Sequence, residues 1–266
     1  MTATTAGPAT RSERGWRAAL DHGGLVLGRN LKLFRNPASA VGMTLFPLLF
    51  LLGFTMILTR SLDGVGIDAA QFLPPTVVVQ AMFFAAMSTA FYLAADRTSG
   101  LIGRLRTLPI HRSAPIVGRL GADACRSLIS MATLLVAATI IGFRFQAGPI
   151  AAVGFVLVAL LFSLTASALF DAWVLAAGDP TAATQVMAVP YLPLLMLSKG
   201  FAGVEGFPGW LQPFVRWQPI SLTVDALRAL AEGGPTATPV LKAVGVLSVL
   251  FVALIAVATR AFRRLS

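Results

Sequence analysis

Residues 96–119 read DRTSGLIGRLRTLPIHRSAPIVGR and lie between two long apolar runs. Arg97, Arg104, Arg106, Arg112 and Arg119 stand there against a single acid, Asp96. Lys and Arg collect in the cytoplasmic loops of membrane proteins, close to the ends of the spans. This segment therefore sets the topology. It is too short to fold alone, yet it is patterned. Leu101, Leu105 and Leu108 share one side of a helix, and Pro109 stops it. A short amphipathic helix in a chain without a large polar domain points to docking on another protein. The same residues also fit a solvated loop that only obeys the orientation rule.

The surrounding composition fixes the class. Hydrophobic residues make up 56% of the 266 and charged residues only 12%, with a mean hydropathy of +0.79. Soluble domains carry about 25% charged residues. A span needs ~20 mainly apolar residues. Six segments meet that length, at roughly 38–59, 69–94, 122–143, 149–176, 181–198 and 240–259. The fourth is long enough to tilt or protrude. The fifth is short and holds Pro190 and Pro193, so it is expected to face protein rather than lipid.

Six spans place both termini on one side. That side carries 14 basic residues: six in the N-terminal arm, five in the 96–119 segment and three in the tail. The other side carries 6: Arg60, Arg144, Lys199, Arg216, Arg228 and Lys242. Both termini are thus expected in the cytoplasm, in a multi-pass protein of the plasma membrane. The net charge of +10 flanks apolar spans, which argues against nucleic acid as the partner. Cys125 is the one cysteine, so no disulfide or thiolate metal cluster can form within one chain. The first thirty residues lack a continuous apolar core, and no signal peptide is expected.

The chain divides into three parts. Residues 1–10 read as a disordered tail. Residues 11–36 read as an interfacial amphipathic helix. Trp16, Leu20, Leu27, Leu31 and Phe34 fall within about 60° at 100° per residue, with Arg14, Arg17, Arg29, Lys32 and Arg35 opposite. Gly23-Gly24 weakens its middle, and Asn36-Pro37 marks a bend. Such a helix serves as a surface anchor or as an elbow that also touches a cytoplasmic partner. Residues 37–266 form the transmembrane domain.

No catalytic constellation is visible. Lys32, Lys199 and Lys242 are followed by Leu, Gly and Ala, so no Walker A loop exists. His22 and His111 cannot build a two-histidine zinc motif, and no nucleophile elbow occurs. Charges inside spans are costly and usually have a purpose. Asp171 is the acid well inside one, and it either serves a proton path or pairs with a base. Asp123 and Arg126 are spaced to pair across one helical turn.

Residues 199–239 form the long connection before the last span. Phe201, Phe207, Trp210, Phe214 and Trp217 are aromatics suited to the headgroup level, punctuated by Pro208, Pro213 and Pro219. Residues 221–232 read as a short helix ended by Gly233-Gly234, packed on the outer face. The stretch fits either an interfacial belt or a cap over an exit path. For the cap, the candidate residues are Phe207, Pro208, Trp210, Trp217, Gln218 and Pro219.

Four stretches together resemble a known family. They are RNLKLFRNPASAVGMTLFPLLFLLGF at 29–54, DRTSGLIGRLRTLPIHRSAPIVGRL at 96–120, GFRF at 142–145 and FPGWLQPFVRWQPISLTVDALRALAEGG at 207–234. In order and spacing the chain resembles the membrane subunit of type-2 ABC transporters, close to the daunorubicin-resistance-type permeases of actinobacteria. The resemblance implies an all-α membrane protein. Its six transmembrane helices would be joined by an N-terminal interfacial helix, a cytoplasmic coupling helix and an extracellular helical loop between spans 5 and 6. It implies that Asp96, Arg97, Gly100, Leu101, Arg104, Leu105, Arg106, Leu108 and Pro109 carry ATPase coupling. That family often has Glu where Asp96 stands. The implied role is the non-enzymatic permease half of an exporter of a lipophilic drug or lipid. ATP and magnesium would be bound by a separate ATPase, in two copies, and a second, identical or related permease would complete the assembly. No cofactor or metal is expected in this chain. Other readings are an ion-gradient-driven secondary transporter and a non-transporting scaffold of an ABC complex.

Overall fold

The computed structural model describes residues 45, 47–57, 68–100, 114–187, 189–200 and 203–264. The expected interfacial helix at 11–36, the tail before it and Leu101 to Pro109 lie outside the described residues. Among those described, the chain is helical and contains no strand.

Helix α1, Pro47–Ile57, is the described part of the first expected span. Helix α2 runs Ala69–Thr98, with the Asp68 carboxylate accepting from the Ala70 amide at its start. Pro74 and Pro75 lie inside it and free the carbonyls of Ala70 and Gln71 from their usual intrahelical donors. Helix α3 is Ala114–Ile141 and α4 is Pro149–Ala176. At ~1.5 Å per residue α4 is about 42 Å long, more than the ~30 Å hydrocarbon core. Its observed ends are those expected from hydropathy.

Two expected boundaries are corrected. The helix of the third span begins within the basic segment, at Ala114, and its apolar part begins at Gly118 rather than at 122; Pro115 falls in its first turn, where a missing amide proton costs little. Arg119 is therefore a helix residue, not a loop residue. The fifth expected span, 181–198, is two short helices: α5, Pro180–Val186, and α6, Tyr191–Met196. Pro190 has no amide proton to give to Val186, and its ring disfavours helix at Val189.

A one-turn 3₁₀ segment, Val204–Gly206, then leads to α7, Gln212–Trp217, and α8, Pro219–Glu232. The chain closes with α9, Ala237–Arg264. Among the described residues, four helices are long and apolar enough to cross a membrane, over Ala69–Thr98, Gly118–Ile141, Pro149–Ala176 and Ala237–Ala261. The protein is a multi-pass membrane protein.

Helix α2 is central. Its apolar window is 72% buried, against 11% for α9, so α2 is enclosed by protein while α9 stands at the periphery. Helix α4 packs on α2, α3 and α9. Phe83 of α2 meets Phe170 of α4 edge to face at 5.0 Å. Helix α8 is not a helix laid on the outer surface. It wedges between α2, α4 and α9 and buries Leu222, Val224, Ala226, Leu227 and Leu230.

Candidate functional site

Polar side chains gather at the two ends of the bundle. One end carries the basic segment. There α2 continues through Asp96 and Arg97 to Thr98, and Gly100, just past the Ser99 cap, has a left-handed φ of 69° that suits glycine. Asp96 and Arg97 thus sit on the last turn of a span helix. The guanidinium of Arg97 donates to the carbonyls of Val174 and Ala177, at 2.5 and 2.9 Å. Those carbonyls belong to the end of α4, where the helix dipole is negative and a cation is favoured.

Arg119, one turn into α3, clasps Asp171 of α4 with both arms of its fork. Nε lies 2.8 Å from Oδ2 and Nη2 lies 2.9 Å from Oδ1. The same Nη2 donates to the Thr89 carbonyl of α2 at 2.8 Å. One guanidinium therefore ties three helices together, in the bidentate geometry that makes such pairs strong. The lone acid expected inside the fourth span is partnered. Deeper in the bundle, Asp123 and Arg126 pair along α3, as their spacing suggested. The Thr89 hydroxyl donates to Asp123 at 3.2 Å, and Arg126 lies over the Tyr92 ring at 5.3 Å. Ser127 and Ser163 join α3 to α4 at 2.6 Å. Buried charges survive when paired, as these are, although Asp123 Oδ2 and Arg126 Nε have no hydrogen-bond partner among the described residues.

The opposite end is organised by α8. Its start is set by Gln218 and Pro219 and its end by Gly233, at φ 75°. Gln218 is buried, and its amide donates to the Leu197 carbonyl and the Ser221 hydroxyl. Arg228 then reaches from α8 to the turn at 199–200. It donates to the carbonyls of Lys199 and Gly200 at 2.8 and 2.7 Å, and to the Thr76 hydroxyl of α2 at 3.2 Å. Burial pulls its pKa down to about 10, opposed by Asp225 and Glu232, so it stays charged at neutral pH. Beside it Lys199 pairs with Asp225. At the α3–α4 connection, Gln71 exchanges hydrogen bonds with the backbone of Arg144, and the Gln146 amide donates to the Ala231 carbonyl.

The candidate residues of the long connection separate into two kinds. Gln218 and Pro219 build the start of α8. Phe207 and Pro208 accept backbone and side-chain hydrogen bonds from Leu211 and Gln212. Trp210 and Trp217 point outward, 81% and 64% exposed. Arg228 and the Arg119–Asp171 clasp were not singled out from sequence. The signal for Arg228 was a lone base inside an apolar helix. Arg119 and Asp171 are 52 residues apart, and no local pattern joins them.

Comparison with known proteins bears on the same elements. Residues 24–231 match the family model described as ABC-2 type transporter. The chain is 32% identical over 208 residues to the daunorubicin resistance ABC transporter permease protein DrrB1 of Streptomyces coeruleorubidus, covering 78% of this chain and 74% of that protein. It is 27% identical over 208 residues to a probable doxorubicin resistance ABC transporter permease protein, DrrC, of Mycobacterium tuberculosis, covering 78% and 75%. A putative transport permease of Porphyra purpurea, ycf38, is 25% identical over 202 residues, covering 74% and 69%. The resemblance drawn from the four sequence stretches is borne out. The chain belongs to the ABC-2 type transporter family.

Proposed function

We propose that this chain is the permease subunit of an ATP-binding cassette exporter that moves a lipophilic drug or lipid across the plasma membrane. The observation that carries the reading is the family match over residues 24–231, which includes the basic segment and α8. The drug-resistance names of the relatives favour a lipophilic substrate. The work comes from a separate ATPase, in two copies, paired with two permease chains. Both termini lie in the cytoplasm, with α1 completing one span and α5 with α6 together completing another.

In this reading residues 96–109 dock on the ATPase through Leu101, Leu105 and Leu108, with Arg104 and Arg106 beside them and Pro109 ending the helix. ATP binding closes the ATPases and biases the permeases between inward-open and outward-open states. The α7–α8 region closes the far end. Reconstitution tests the whole. Permease and ATPase purified together and placed in liposomes should move daunorubicin only with ATP. Movement driven by an ion gradient without ATP would replace this reading with a secondary transporter. ATPase binding with no transport of lipophiles of any kind would favour a scaffold.

A further inference from the structure

We infer that Arg97, Arg119 and Asp171 form the joint through which motion of the cytoplasmic segment is delivered to α4. The inference rests on the proposed docking of that segment on an ATPase. Both flanks of the segment are fastened to one short stretch of a third helix. The incoming flank is held by Arg97 on the carbonyls of Val174 and Ala177. The outgoing flank is held by Arg119 on Asp171. Asp171 to Ala177 is less than two turns of helix. A loop attached at one flank would pivot about that point. A loop attached at both flanks to the same helix end carries that end with it.

The chemistry suits a joint. Forked guanidinium–carboxylate bonds resist bending as well as stretching, which a single ammonium contact would not. Arg119 and Asp171 are partly buried, at 17% and 13% side-chain exposure, so water competes weakly for them. Arg119 also holds the Thr89 carbonyl, which brings α2 into the same body. Helix α9 is joined differently. It meets α4 through apolar packing, with the Thr165 hydroxyl 3.4 Å from the Leu247 carbonyl. Apolar side chains permit sliding where forked ion pairs do not. The inner ends of α2, α3 and α4 therefore move as one body against α9.

Distance measurements between spin labels test this on the full permease–ATPase complex in lipid nanodiscs. Labels go on Ser99→Cys and Gly178→Cys in a Cys125→Ser background; both sites are exposed, and a Cβ at Gly178 meets nothing within 4 Å. A second pair joins Ser99→Cys to Val257→Cys on α9. Between the ATP-free and vanadate-trapped states, the Ser99–Gly178 distance should stay fixed while the Ser99–Val257 distance shifts. The double variant Arg97→Gln with Arg119→Gln cuts both attachments, and its ATPase capture is measured beside the distances. It should let the Ser99–Gly178 distance spread on trapping and lower transport per ATP by about tenfold, a common size for coupling between sites. A shift of the Ser99–Gly178 distance in the parent protein overturns the joint, whether or not the double variant folds. So does a Ser99–Val257 distance that never moves, or a double variant whose distances and coupling match the parent. A parent permease that captures no ATPase fails earlier and separately, and removes the docking reading itself.

Discussion

Arg228 lies over the ring of Phe72, with its guanidinium carbon 3.7 Å from the centroid, across the junction of α8 and α2. The stack and the two carbonyls held by the same guanidinium pin the turn at 199–200 beneath α8. Arg228→Ala would leave the Lys199 carbonyl without this donor, at about 1–3 kcal/mol for a buried group left unpaired, while the Gly200 carbonyl keeps the Thr76 hydroxyl. Thermal unfolding of the purified permease should show a clear loss for Ala and a smaller one for Lys, whose ammonium cannot fork. Equal midpoints for Arg228, Lys and Ala would show that the latch contributes nothing.

Gly200 is packed against the same latch. A Cβ placed there would stand 2.7 Å from the Thr76 methyl and 3.0 Å from the Ser198 hydroxyl. Thr76 cannot simply rotate away, because its hydroxyl donates to the Gly200 carbonyl at 2.9 Å. Gly200→Ala should therefore cost about 1–3 kcal/mol by overpacking, and Thr76→Ser in the same chain should recover part of it. The measurement is the unfolding midpoint of the single and double variants. Additive losses would mean the two residues do not share this contact.

Trp217 separates belt from cap. It is 64% exposed, so Trp217→Leu should change stability by less than about 0.5 kcal/mol. If the α7 region lines an exit, efflux per unit of permease in the membrane should fall. Efflux and abundance falling in the same proportion would make Trp217 an interfacial anchor.

Docking of the basic segment is tested by Leu105→Asp. A charge in a desolvated contact costs several kcal/mol. Membrane abundance should stay normal while the ATPase no longer co-purifies. Full recruitment with full transport would show that Leu105 faces no partner.

Orientation is tested by labelling intact cells in a Cys125→Ser background. An impermeant thiol reagent added outside should label Gly209→Cys and spare Ser99→Cys. The reverse pattern would invert the topology drawn from the 14-to-6 basic bias.

Much of the scaffold was legible because apolar length is a local property. The ends of α4 fall at 149 and 176, as hydropathy gave them, since Pro149 opens the helix and α4 carries few polar groups. Helix α8 was readable over 221–232, ended by Gly233, whose backbone preference acts wherever it stands; the structure starts it two residues earlier, at Pro219. The pairing of Asp123 with Arg126 was readable because three residues make neighbours on any helix.

The candidate site was less legible. Arg119 counts as a loop residue by charge alone; it lies in α3, where Asp171 of α4 neutralises it. Segment 181–198 has the apolar content of a span. It breaks at Pro190, and its two pieces stay stable because α5 packs on α2 and Gln218 accommodates the carbonyl of Leu197. Sequence by itself determined the membrane class, the helix-rich fold, the basic side and the turn positions, because hydropathy, charge and proline and glycine geometry act within a few residues. Only the tertiary structure decided which charges enter the helices, that α8 is a wedge rather than a surface helix, and where Arg228 and Arg119 find their partners. A charge is tolerated away from water only when an opposite charge or an open carbonyl is brought to it, and that partner comes from a distant part of the chain.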